Sequence, residues 1–321
     1  MKVLVTGAAG FIGSTLVDAL LRRGDRVIAL DNFAPYYDPG RKRRNLAAAC
    51  DDPRFALVEA DILDGPRLRA LMESQRPEGV VHLAARVSNR GSLATGVDER
   101  YALVNAGGTA TLLAACDSAP PRSFVFVSTA NVYDSSAPAP FREGVTPERP
   151  RTPYSKSKKE AEILVLEGAA RRGLPATVLR LFTTYGQRQR PDMVHYRFTT
   201  SLLRDRPLTL IGDGSDLRDY IHVDDACAAI TASLDAIPAG EIINIGSGKA
   251  TTLDFLLALL ARLTGKEPRV RRCGAPAGDT RQLLADIGKA ERLLGWRPGI
   301  GLEAGLKKFI LWLMTAENQF D

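Results

Sequence analysis

The sequence has few of the residues that build metal sites and disulfide frameworks. Among 321 residues there are three histidines and four cysteines. The cysteines are dispersed, and no two of them form a C-x-x-C pair; they are Cys50, Cys116, Cys227 and Cys273. Zinc sites and disulfide-rich folds require such residues in close groups. We therefore expect no bound metal, and we expect the cysteines to be buried free thiols.

Long apolar runs are also missing. No run reaches about 18 apolar residues, the length that crosses a bilayer. Met1 leads directly into the first predicted strand, so the sequence does not begin with the charged and apolar regions of a secretory signal. We therefore expect a soluble, cytoplasmic protein with no membrane partner.

The chain has no excess of acidic residues, since 43 lysines and arginines against 37 acids give a formal net charge of +6. The basic residues cluster at residues 41–44, 188–190 and 269–272. A basic surplus attracts nucleic acid, but no aromatic-studded basic helix or RNA-binding motif accompanies these clusters. An anionic small substrate explains the charge as well, and we expect no nucleic-acid partner.

A glycine-rich turn, TGAAGFIG, occupies residues 6–13, where a β-type apolar run changes to a helical pattern. Gly7 permits a tight turn, and Gly10 lets the backbone approach a pyrophosphate. Gly13 allows the helix to pack closely on the strand, while amides at the helix start face the anion. The pattern predicts a dinucleotide site, although such glycines also occur in purely structural loops.

Asp31 closes the next apolar run, 18 residues after Gly13. A carboxylate at this place accepts hydrogen bonds from both ribose hydroxyls and repels a 2′-phosphate, so Asp31 favours NAD over NADP. Two alternatives remain open. Asp31 can be a turn or cap residue, and the basic residues 41–44 are near enough in sequence to meet a 2′-phosphate.

Short β-rich runs alternate with helical patterns along the first half of the chain. The runs span residues 2–6, 26–30, 55–59, 80–83, 123–127 and 176–181. This alternation predicts an α/β fold of the Rossmann type, with a doubly wound parallel sheet. We place the dinucleotide-binding domain at residues 1–182, with a return strand near 241–246. The remainder, residues 183–321, is expected to form a smaller, discontinuous substrate-binding lobe.

Tyr154 and Lys158 are four residues apart on a helix that Pro153 is expected to open, so they share one helix face. A free phenol has a pKa near 10, and a neighbouring ammonium favours the phenolate. We expect Lys158 to lower the pKa of Tyr154 and so make it a base. Thr129, at the end of the fifth run, supplies a hydroxyl beside it. The alternatives are a solvated Tyr-Lys pair and a threonine that caps its strand.

These residues stand in a set of motifs that resembles one family over nearly the whole chain. The chain resembles the extended short-chain dehydrogenase/reductases of the nucleotide-sugar epimerase and dehydratase group. The matching stretches are TGAAGFIG, Asp61-Ile62, HLAA at residues 82–85, VNAGGT at 104–109, STANVY at 128–133, YSKSK at 154–158 and RDYIHVDD at 218–225.

The resemblance implies NAD as cofactor, a UDP-sugar as substrate and a homodimer built through the helices after Val104 and Pro153. The implied catalytic residues are Thr129, Tyr154 and Lys158. The implied cofactor contacts are Gly7, Gly10, Phe11, Ile12, Gly13, Asp31, Asn32, Asp61, Ile62, Leu83, Ala84, Ala85, Asn105, Tyr154 and Lys158. The implied substrate contacts are Arg90, Ser128, Thr129, Thr183, Arg190, Arg218 and Asp279.

Two further stretches, at residues 31–46 and 190–199, resemble the signatures of UDP-glucuronate 4-epimerases. In those enzymes the equivalents of Thr183 and Arg190 hold the sugar carboxylate. The implied reaction is C4 epimerisation of UDP-glucuronate to UDP-galacturonate, through oxidation to a 4-keto sugar and reduction from the opposite face. A phosphate contact remains an alternative role for Arg190.

The sequence also departs from its relatives. Dehydratases of this group carry an Asp-Glu pair after the threonine, whereas this chain has Ala130 and Asn131, so dehydration lacks its acid. Residues 187–189 replace a Pro-aromatic-Gly stretch, which leaves the sugar open. The alternatives are a neutral UDP-glucose or UDP-N-acetylglucosamine 4-epimerase, a UDP-uronate decarboxylase and, from a different class, a non-catalytic NAD-sensing protein.

Overall fold

A seven-stranded parallel sheet is the frame of the protein, whose computed structural model describes residues 1–87, 98–274 and 282–317. Its strands are β1 (Lys2–Thr6), β2 (Arg26–Asp31), β3 (Phe55–Glu59), β4 (Gly79–His82), β5 (Ser123–Thr129), β6 (Ala176–Leu181) and β10 (Ile242–Ile245). They lie in the order β10-β6-β5-β4-β1-β2-β3, and all pairs are parallel. The predicted Rossmann-type fold class is confirmed.

Helices cover both faces of this sheet. They are α1 (Phe11–Arg23), α2 (Pro39–Leu46), α3 (Gly65–Gln75), α4 (Asp98–Tyr101), α5 (Gly108–Ala115), α6 (Pro153–Arg172), α8 (Val223–Ala236) and α10 (Gly288–Leu294). Side chains alternate across each strand, so Val3 and Val5 join the core under α1 and α8, while Leu4 joins the core under α5 and α6. The sheet is therefore buried on both faces, as its apolar runs predict, except at the edge strand β3, which is partly exposed.

A second unit of small sheets lies at the carboxyl end of the large sheet. Its strands are β7 (Thr183–Tyr185), β8 (Leu208–Ile211), β9 (Leu217–His222), β11 (Ala250–Thr252), β12 (Val270–Cys273) and β13 (Gln282–Leu283), and its helices are α7 (Val194–Leu203), α9 (Leu253–Thr264) and α11 (Leu302–Glu317). Strand β9 pairs with β7, β11 and β13, and β8 pairs with β12. This unit is made of segments before and after β10, so it is discontinuous; the boundary at residue 182 stays a prediction.

Two acids of the RDYIHVDD stretch fasten the second unit to the sheet. The buried carboxylate of Asp219 accepts from the amides of Ser247 at 2.6 Å and Ala285 at 3.2 Å, so it holds the turn that follows β10. Asp225, in the first turn of α8, accepts from the amide of Ile300 at 2.8 Å, just before α11. Loops that are distant in sequence thus meet at one edge of the sheet.

Helix α6 starts as Pro153 predicts. Thr152 is its N-cap, accepts from the amide of Ser155 at 3.1 Å and forms a capping box with the Ser155 side chain. Pro153 occupies the first turn, where its missing N–H leaves no hydrogen bond unmade. The helix start, and with it the position of Tyr154, is therefore fixed by local chemistry.

The cysteine prediction is half wrong. Cys116 and Cys227 are buried free thiols, whereas Cys50 and Cys273 are exposed because they lie on a surface 3₁₀ turn and on the short edge strand β12. In the described part of the chain, no group of three or more His, Cys, Asp or Glu side chains is arranged to hold a metal. Within residues 1–87, 98–274 and 282–317, no helix combines the length and apolar composition needed to cross a bilayer.

Candidate active site

The turn between β1 and α1 has no room for a side chain at Gly7 or Gly13. Gly7 has a left-handed φ of +69°, and a Cβ built on it lies 2.7 Å from the backbone nitrogen of Ala84. A Cβ on Gly13 overlaps the carbonyl oxygen of Gly7. The first amides of α1 follow this bare turn, and the first four N–H groups of a helix have no partner within it. The chain thus forms a cradle that fits a pyrophosphate.

A cavity extends from this cradle along the carboxyl ends of β1, β2 and β4; we call it the cofactor cavity. Twelve of the predicted cofactor contacts line it, namely Gly7, Gly10, Phe11, Ile12, Gly13, Asp31, Asn32, Asp61, Ile62, Leu83, Ala84 and Ala85. Asn32 donates to Asp61 at 2.8 Å, which joins the ends of β2 and β3. The residues that fit NAD are therefore together, as the sequence predicts. Tyr36, Tyr37 and Lys42 also line this cavity; sequence reasoning considered Lys42 only within the basic run 41–44 and assigned no role to the two tyrosines.

Asp31 serves as both a cap and a lining residue. Its Oδ2 accepts from the amide of Ala9 at 3.0 Å, and its Oδ1 accepts from the amide of Phe33 at 2.8 Å. Lys42 lies 3.7 Å from Oδ1 and shares the cofactor cavity. Arg43 instead pairs with Glu59 at 3.1 Å on the surface, so part of the basic run is directed away from the cavity.

A buried histidine supports the cavity floor. His82 Nδ1 lies 2.7 Å from Thr6 Oγ1, and His82 Nε2 lies 3.0 Å from Thr109 Oγ1. Burial lowers the pKa of His82 to about 3, so the imidazole is neutral and can bridge the two hydroxyls. The HLAA and VNAGGT stretches therefore meet in space, which their sequence separation does not reveal.

Asn105 lies behind the wall of the cofactor cavity. Its Nδ2 donates to Ser157 Oγ at 2.9 Å and to the carbonyl oxygen of Arg86 at 3.0 Å, and its Oδ1 accepts from the amide of Arg86 at 2.7 Å. Both amide hydrogens are thus engaged, one by Ser157 and one by the Arg86 backbone, which lines the cavity. A direct contact of Asn105 with the cofactor stays a prediction.

A second cavity, the catalytic cavity, opens at the carboxyl ends of β5 and β6. It is lined by all three predicted catalytic residues and by three predicted substrate contacts, namely Thr129, Tyr154, Lys158, Ser128, Thr183 and Arg190. Phe11, Ile12, Leu83 and Ala85 line both the catalytic and the cofactor cavity, so the two are adjacent. A ligand in one is therefore close to a ligand in the other.

The electrostatics of Tyr154 differ from our expectation. Burial raises the pKa of Tyr154, and the opposing influences are the positive charge of Arg190 and the hydroxyl of Thr129. The expectation that Lys158 lowers this pKa is not borne out in this structure. The Lys158 amine instead donates to the carbonyl oxygen of Val127 at 2.7 Å and lies 4.0 Å from the ring centroid of Phe126.

Lys158 is itself strongly perturbed. Burial lowers its pKa to about 7, and the carboxylate of Glu162, one turn later on α6, opposes this shift. Its ammonium therefore titrates in the neutral range, far below the ordinary value for lysine. A perturbed pKa in a cavity beside two hydroxyl groups is typical of a catalytic site.

A buried ion pair lies behind the catalytic cavity. Arg180 on β6 donates to both carboxylate oxygens of Glu162, at 3.0 and 2.7 Å, and neither side chain reaches solvent. Ser128 donates to the same carboxylate at 2.6 Å. The Ser128 hydroxyl proton is thus engaged by Glu162, and its predicted contact with substrate stays a prediction. Thr129 accepts from the amide of Asn131 at 3.2 Å, so it caps the short 3₁₀ helix that follows β5 and also lines the cavity.

Arg190 stands between the two cavities and lines both. Its guanidinium donates to Asp192 through Nε at 2.9 Å and through Nη2 at 3.1 Å. The ring centroid of Tyr36 lies 5.6 Å from the guanidinium carbon. Arg190 is therefore held by its own chain beside the catalytic cavity, and sequence reasoning identified neither Asp192 nor Tyr36 as its partners.

A third cavity, the nucleotide cavity, continues from the catalytic cavity into the second unit. Thr183 lines both, and Arg218 and Asp192 line the nucleotide cavity. The catalytic cavity encloses about 290 Å³ and the nucleotide cavity about 230 Å³. Ligand pockets usually span roughly 300–1,000 Å³, so a nucleotide sugar would occupy both. The predicted substrate contacts Arg90 and Asp279 lie outside the described residues.

Comparison with known proteins identifies the family of this chain. The model of the NAD dependent epimerase/dehydratase family matches residues 3–246. The chain belongs to the NAD-dependent epimerase/dehydratase family. A UDP-glucuronate 4-epimerase of Thermodesulfobacterium geofontis is 35% identical over 311 residues, which cover 96% of this chain and 95% of that protein.

Solved structures agree with this membership of the epimerase/dehydratase family. A UDP-glucuronic acid 4-epimerase from Bacillus cereus, in complex with UDP-glucuronic acid and NAD, is 33% identical, with a TM-score of 0.92 and coverage of 98% of this chain and 100% of that one. A UDP-glucose 4-epimerase from Thermotoga maritima with UDP-glucose is 32% identical, with a TM-score of 0.89 and coverage of 99% and 100%. The predictions of the family, of an enzyme and of NAD as its cofactor are confirmed.

Proposed function

We propose that this member of the epimerase/dehydratase family converts UDP-glucuronate to UDP-galacturonate by epimerisation at C4. The observation that carries the proposal is the place of Arg190. Its guanidinium lines the catalytic cavity together with Tyr154 and Thr183, and its charge lowers the pKa of Tyr154. A cation beside the proposed base suits a sugar that carries a carboxylate next to its reacting carbon.

Tyr154 is the proposed base, which takes the proton of the C4 hydroxyl. Thr129 lies beside Tyr154 and relays or shares that hydrogen bond. Arg190 and Thr129 favour the ionised phenol over the neutral phenol, against the effect of burial. Lys158 lines the same cavity and titrates near neutrality, so its protonated amine would be a donor for a hydroxyl of bound NAD.

NAD, when bound, accepts a hydride from C4 and returns it to the opposite face of the 4-keto sugar. The chain contributes the cradle around Gly7 and Gly13 for the pyrophosphate and Asp31 for the adenosine ribose. The residues that hold the nucleotide, Arg218 among them, let the sugar turn while the diphosphate stays in place. Positioning of C4 therefore supplies much of the rate.

Arg190 and Thr183 hold the sugar carboxylate in this proposal. A ketone at C4 is β to the carboxylate, and CO2 leaves easily when the C5–carboxylate bond aligns with the carbonyl π system. A bidentate hydrogen bond from a guanidinium fixes the carboxylate out of that alignment. The same bond selects an acidic sugar over a neutral one.

We further propose a cytoplasmic homodimer that associates with neither membranes nor nucleic acid. Among the apolar residues of the two helices expected at the interface, Leu112 and Leu113 are buried in the sheet core, and Leu164 and Leu166 are partly buried against it. Ile163 on α6 is 44% exposed, so it is the most exposed of these five. Light scattering at micromolar concentration tests this, and a monomer would contradict it.

A panel of UDP-sugars tests the activity. The purified protein is incubated with UDP-glucuronate, UDP-glucose and UDP-N-acetylglucosamine, and the products are resolved by NMR. We expect the C4 epimer of UDP-glucuronate, with much slower or no conversion of the neutral sugars. Preferred turnover of UDP-glucose would favour the neutral-sugar alternative, and CO2 with a 4-keto pentose would favour the decarboxylase.

A further inference from the structure

Tyr36, Arg190 and Asp192 form a cluster where the three cavities meet; we call it the junction cluster. Tyr36 lines the cofactor cavity, Arg190 lines the cofactor and catalytic cavities, and Asp192 lines the nucleotide cavity. Asp192 has no role in the reaction proposed above. Its contacts, however, control the residue that the proposal assigns to the sugar carboxylate.

The junction cluster holds the guanidinium of Arg190 on two sides. Asp192 accepts from Nε at 2.9 Å and from Nη2 at 3.1 Å, which is the paired arrangement typical of an arginine–carboxylate fork. The Tyr36 ring lies 5.6 Å from the guanidinium carbon, and the Tyr36 hydroxyl lies 3.4 Å from the second carboxylate oxygen. The plane and the edge of the guanidinium are both restrained.

This arrangement decides which donors of Arg190 remain. A guanidinium has five N–H groups in a rigid plane, and Asp192 uses one on Nε and one on Nη2. One hydrogen of Nη1 and the second hydrogen of Nη2 remain on the adjacent edge. That edge is itself a fork of the shape that a carboxylate fits.

We propose that Asp192 is a positioning residue that sets the specificity for an acidic sugar. By holding the Nε edge of Arg190, it presents the Nη1–Nη2 edge to the sugar carboxylate. The inference rests on the proposed function, because it concerns the carboxylate of the same substrate. It adds a residue whose positioning effect is transmitted through Arg190.

The negative charge of Asp192 also acts on the substrate directly. It repels the sugar carboxylate and therefore opposes binding of an acidic sugar. The Asp192 side chain retains 30% of its accessible surface, so water and salt screen that repulsion. Hydrogen-bond geometry is not screened in this way. Orientation is therefore the larger effect, and loss of Asp192 impairs turnover of the acidic sugar more than it improves binding.

Substitutions at Asp192 test the proposal. Asp192→Asn keeps the size of the side chain but offers Arg190 one acceptor oxygen in place of two, and Asp192→Ala removes both. We expect kcat with UDP-glucuronate to fall about tenfold or more in Asp192→Ala, less in Asp192→Asn, because small errors of placement cost large factors in rate. The Kd of UDP-glucose, measured by calorimetry, should change less than about twofold.

Released CO2 is the second measurement, and a merely structural defect would not move it. Its release breaks the C5–carboxylate bond of the 4-keto sugar, leaves the electron pair on C5 in conjugation with the C4 carbonyl, and ends with protonation of C5 by water. The two electrons removed from C4 stay on the cofactor. We expect the fraction of turnovers that end in CO2 to rise in both Asp192 variants.

Asp216→Asn is the matched control. Asp216 also pairs with an arginine of the substrate cavities, since it lies 3.4 Å from Arg218, and its side chain is 18% exposed. The control removes one negative charge without touching the junction cluster. We expect it to change the affinity for both UDP-sugars alike and to leave the fraction of CO2 unchanged.

Three results would overturn the proposal while leaving the proposed function intact. The first is a folded Asp192→Ala with unchanged kcat and an unchanged fraction of CO2. The second is tighter UDP-glucuronate binding with unchanged kcat. The third is an equal loss of turnover or affinity for the acidic and the neutral sugar. Thermal unfolding with bound NAD checks that each variant is folded. If Asp192→Ala does not fold, Asp192→Glu, which keeps the charge, is measured in its place. No C4 epimer of UDP-glucuronate from the unmodified enzyme would instead overturn both.

Discussion

Tyr154 and Arg190 are the two side chains on which the proposed reaction depends most. We expect Tyr154→Phe to retain NAD and UDP-glucuronate binding, because it removes one oxygen and little volume. It should lose about 10²–10⁴ in kcat, the usual contribution of a general base. Calorimetry and turnover measured side by side check this. A variant that keeps a tenth of the kcat would show that Tyr154 is not the base.

Arg190→Ala should discriminate between acidic and neutral substrates. A charge-assisted hydrogen bond is worth about 1.5–3 kcal/mol, so affinity for UDP-glucuronate should fall roughly 10- to 150-fold, with a small change for UDP-glucose. Arg218→Ala, in the nucleotide cavity, is the control and should lower the affinity for both UDP-sugars alike. Equal losses of affinity for the two UDP-sugars in Arg190→Ala would show that Arg190 contacts the diphosphate.

Lys158 should destabilise the protein in the absence of NAD. Lowering its pKa from 10.5 to about 7 corresponds to a cost on the order of 5 kcal/mol at and below pH 7. Between pH 7 and 10.5 the unfolded chain binds more protons than the folded protein, so this cost declines as pH rises. We expect Lys158→Met to be more stable than the unmodified protein at pH 6, with the difference shrinking toward pH 10. Urea unfolding at both pH values measures it; a difference independent of pH would contradict the lowered pKa.

At the scale of elements, α6 carries Tyr154 and Lys158, and Arg180 on β6 holds this helix against the sheet. The Glu162–Arg180 pair is buried, so Glu162→Gln should cost at most about 3–5 kcal/mol of unfolding free energy, because Arg180 loses its buried partner and keeps only the partly exposed Glu148, at 2.6 Å. Replacing both residues by methionine should cost much less, because no charge is then left without a partner. Urea unfolding of the two variants tests this. Equal destabilisation of the two variants would show that the intact ion pair itself stabilises the folded protein, whereas we expect only the loss of one partner to be costly.

The elements themselves could be predicted from sequence, because their signals are local. The apolar runs indicated β1, β2, β3 and β6 within a residue or two, and Pro153 marked the start of α6. Strand β5 extends beyond its predicted end to Thr129, since a buried parallel strand tolerates polar residues at its carboxyl end. The predicted Tyr–Lys pair is on α6, but its electrostatic coupling is not the one that spacing suggests.

The long-range contacts of the site could not be predicted in this way. Tyr36 and Asp192 are 156 residues apart, and Ser128 and Glu162 are 34 apart. Such partners are brought together by the order of the strands in the sheet. A local sequence pattern does not determine that order. The motif positions therefore located the catalytic cavity, whereas the partners of Arg190 and Ser128 appeared only in the folded chain.

At the scale of the whole molecule, three adjacent cavities form one path from cofactor to nucleotide. Shared lining residues join them: Ile12 and Leu83 connect the cofactor and catalytic cavities, and Thr183 connects the catalytic and nucleotide cavities. The Rossmann-type sheet supplies the first cavity, and the second unit supplies the last. We therefore expect a sugar nucleotide that is held by its nucleotide to place its sugar between Tyr154 and the cofactor.

The fate of the hydrogen on C4 is the most direct test of the proposed reaction. The enzyme with NAD is incubated with UDP-glucuronate that carries deuterium at C4, in ordinary water, and the products are examined by NMR and mass spectrometry. We predict UDP-galacturonate that retains the deuterium at C4, because the same hydride is removed and returned within one closed site. UDP-galacturonate that has lost the label, or no C4 epimer at all, would contradict epimerisation by transient oxidation at C4.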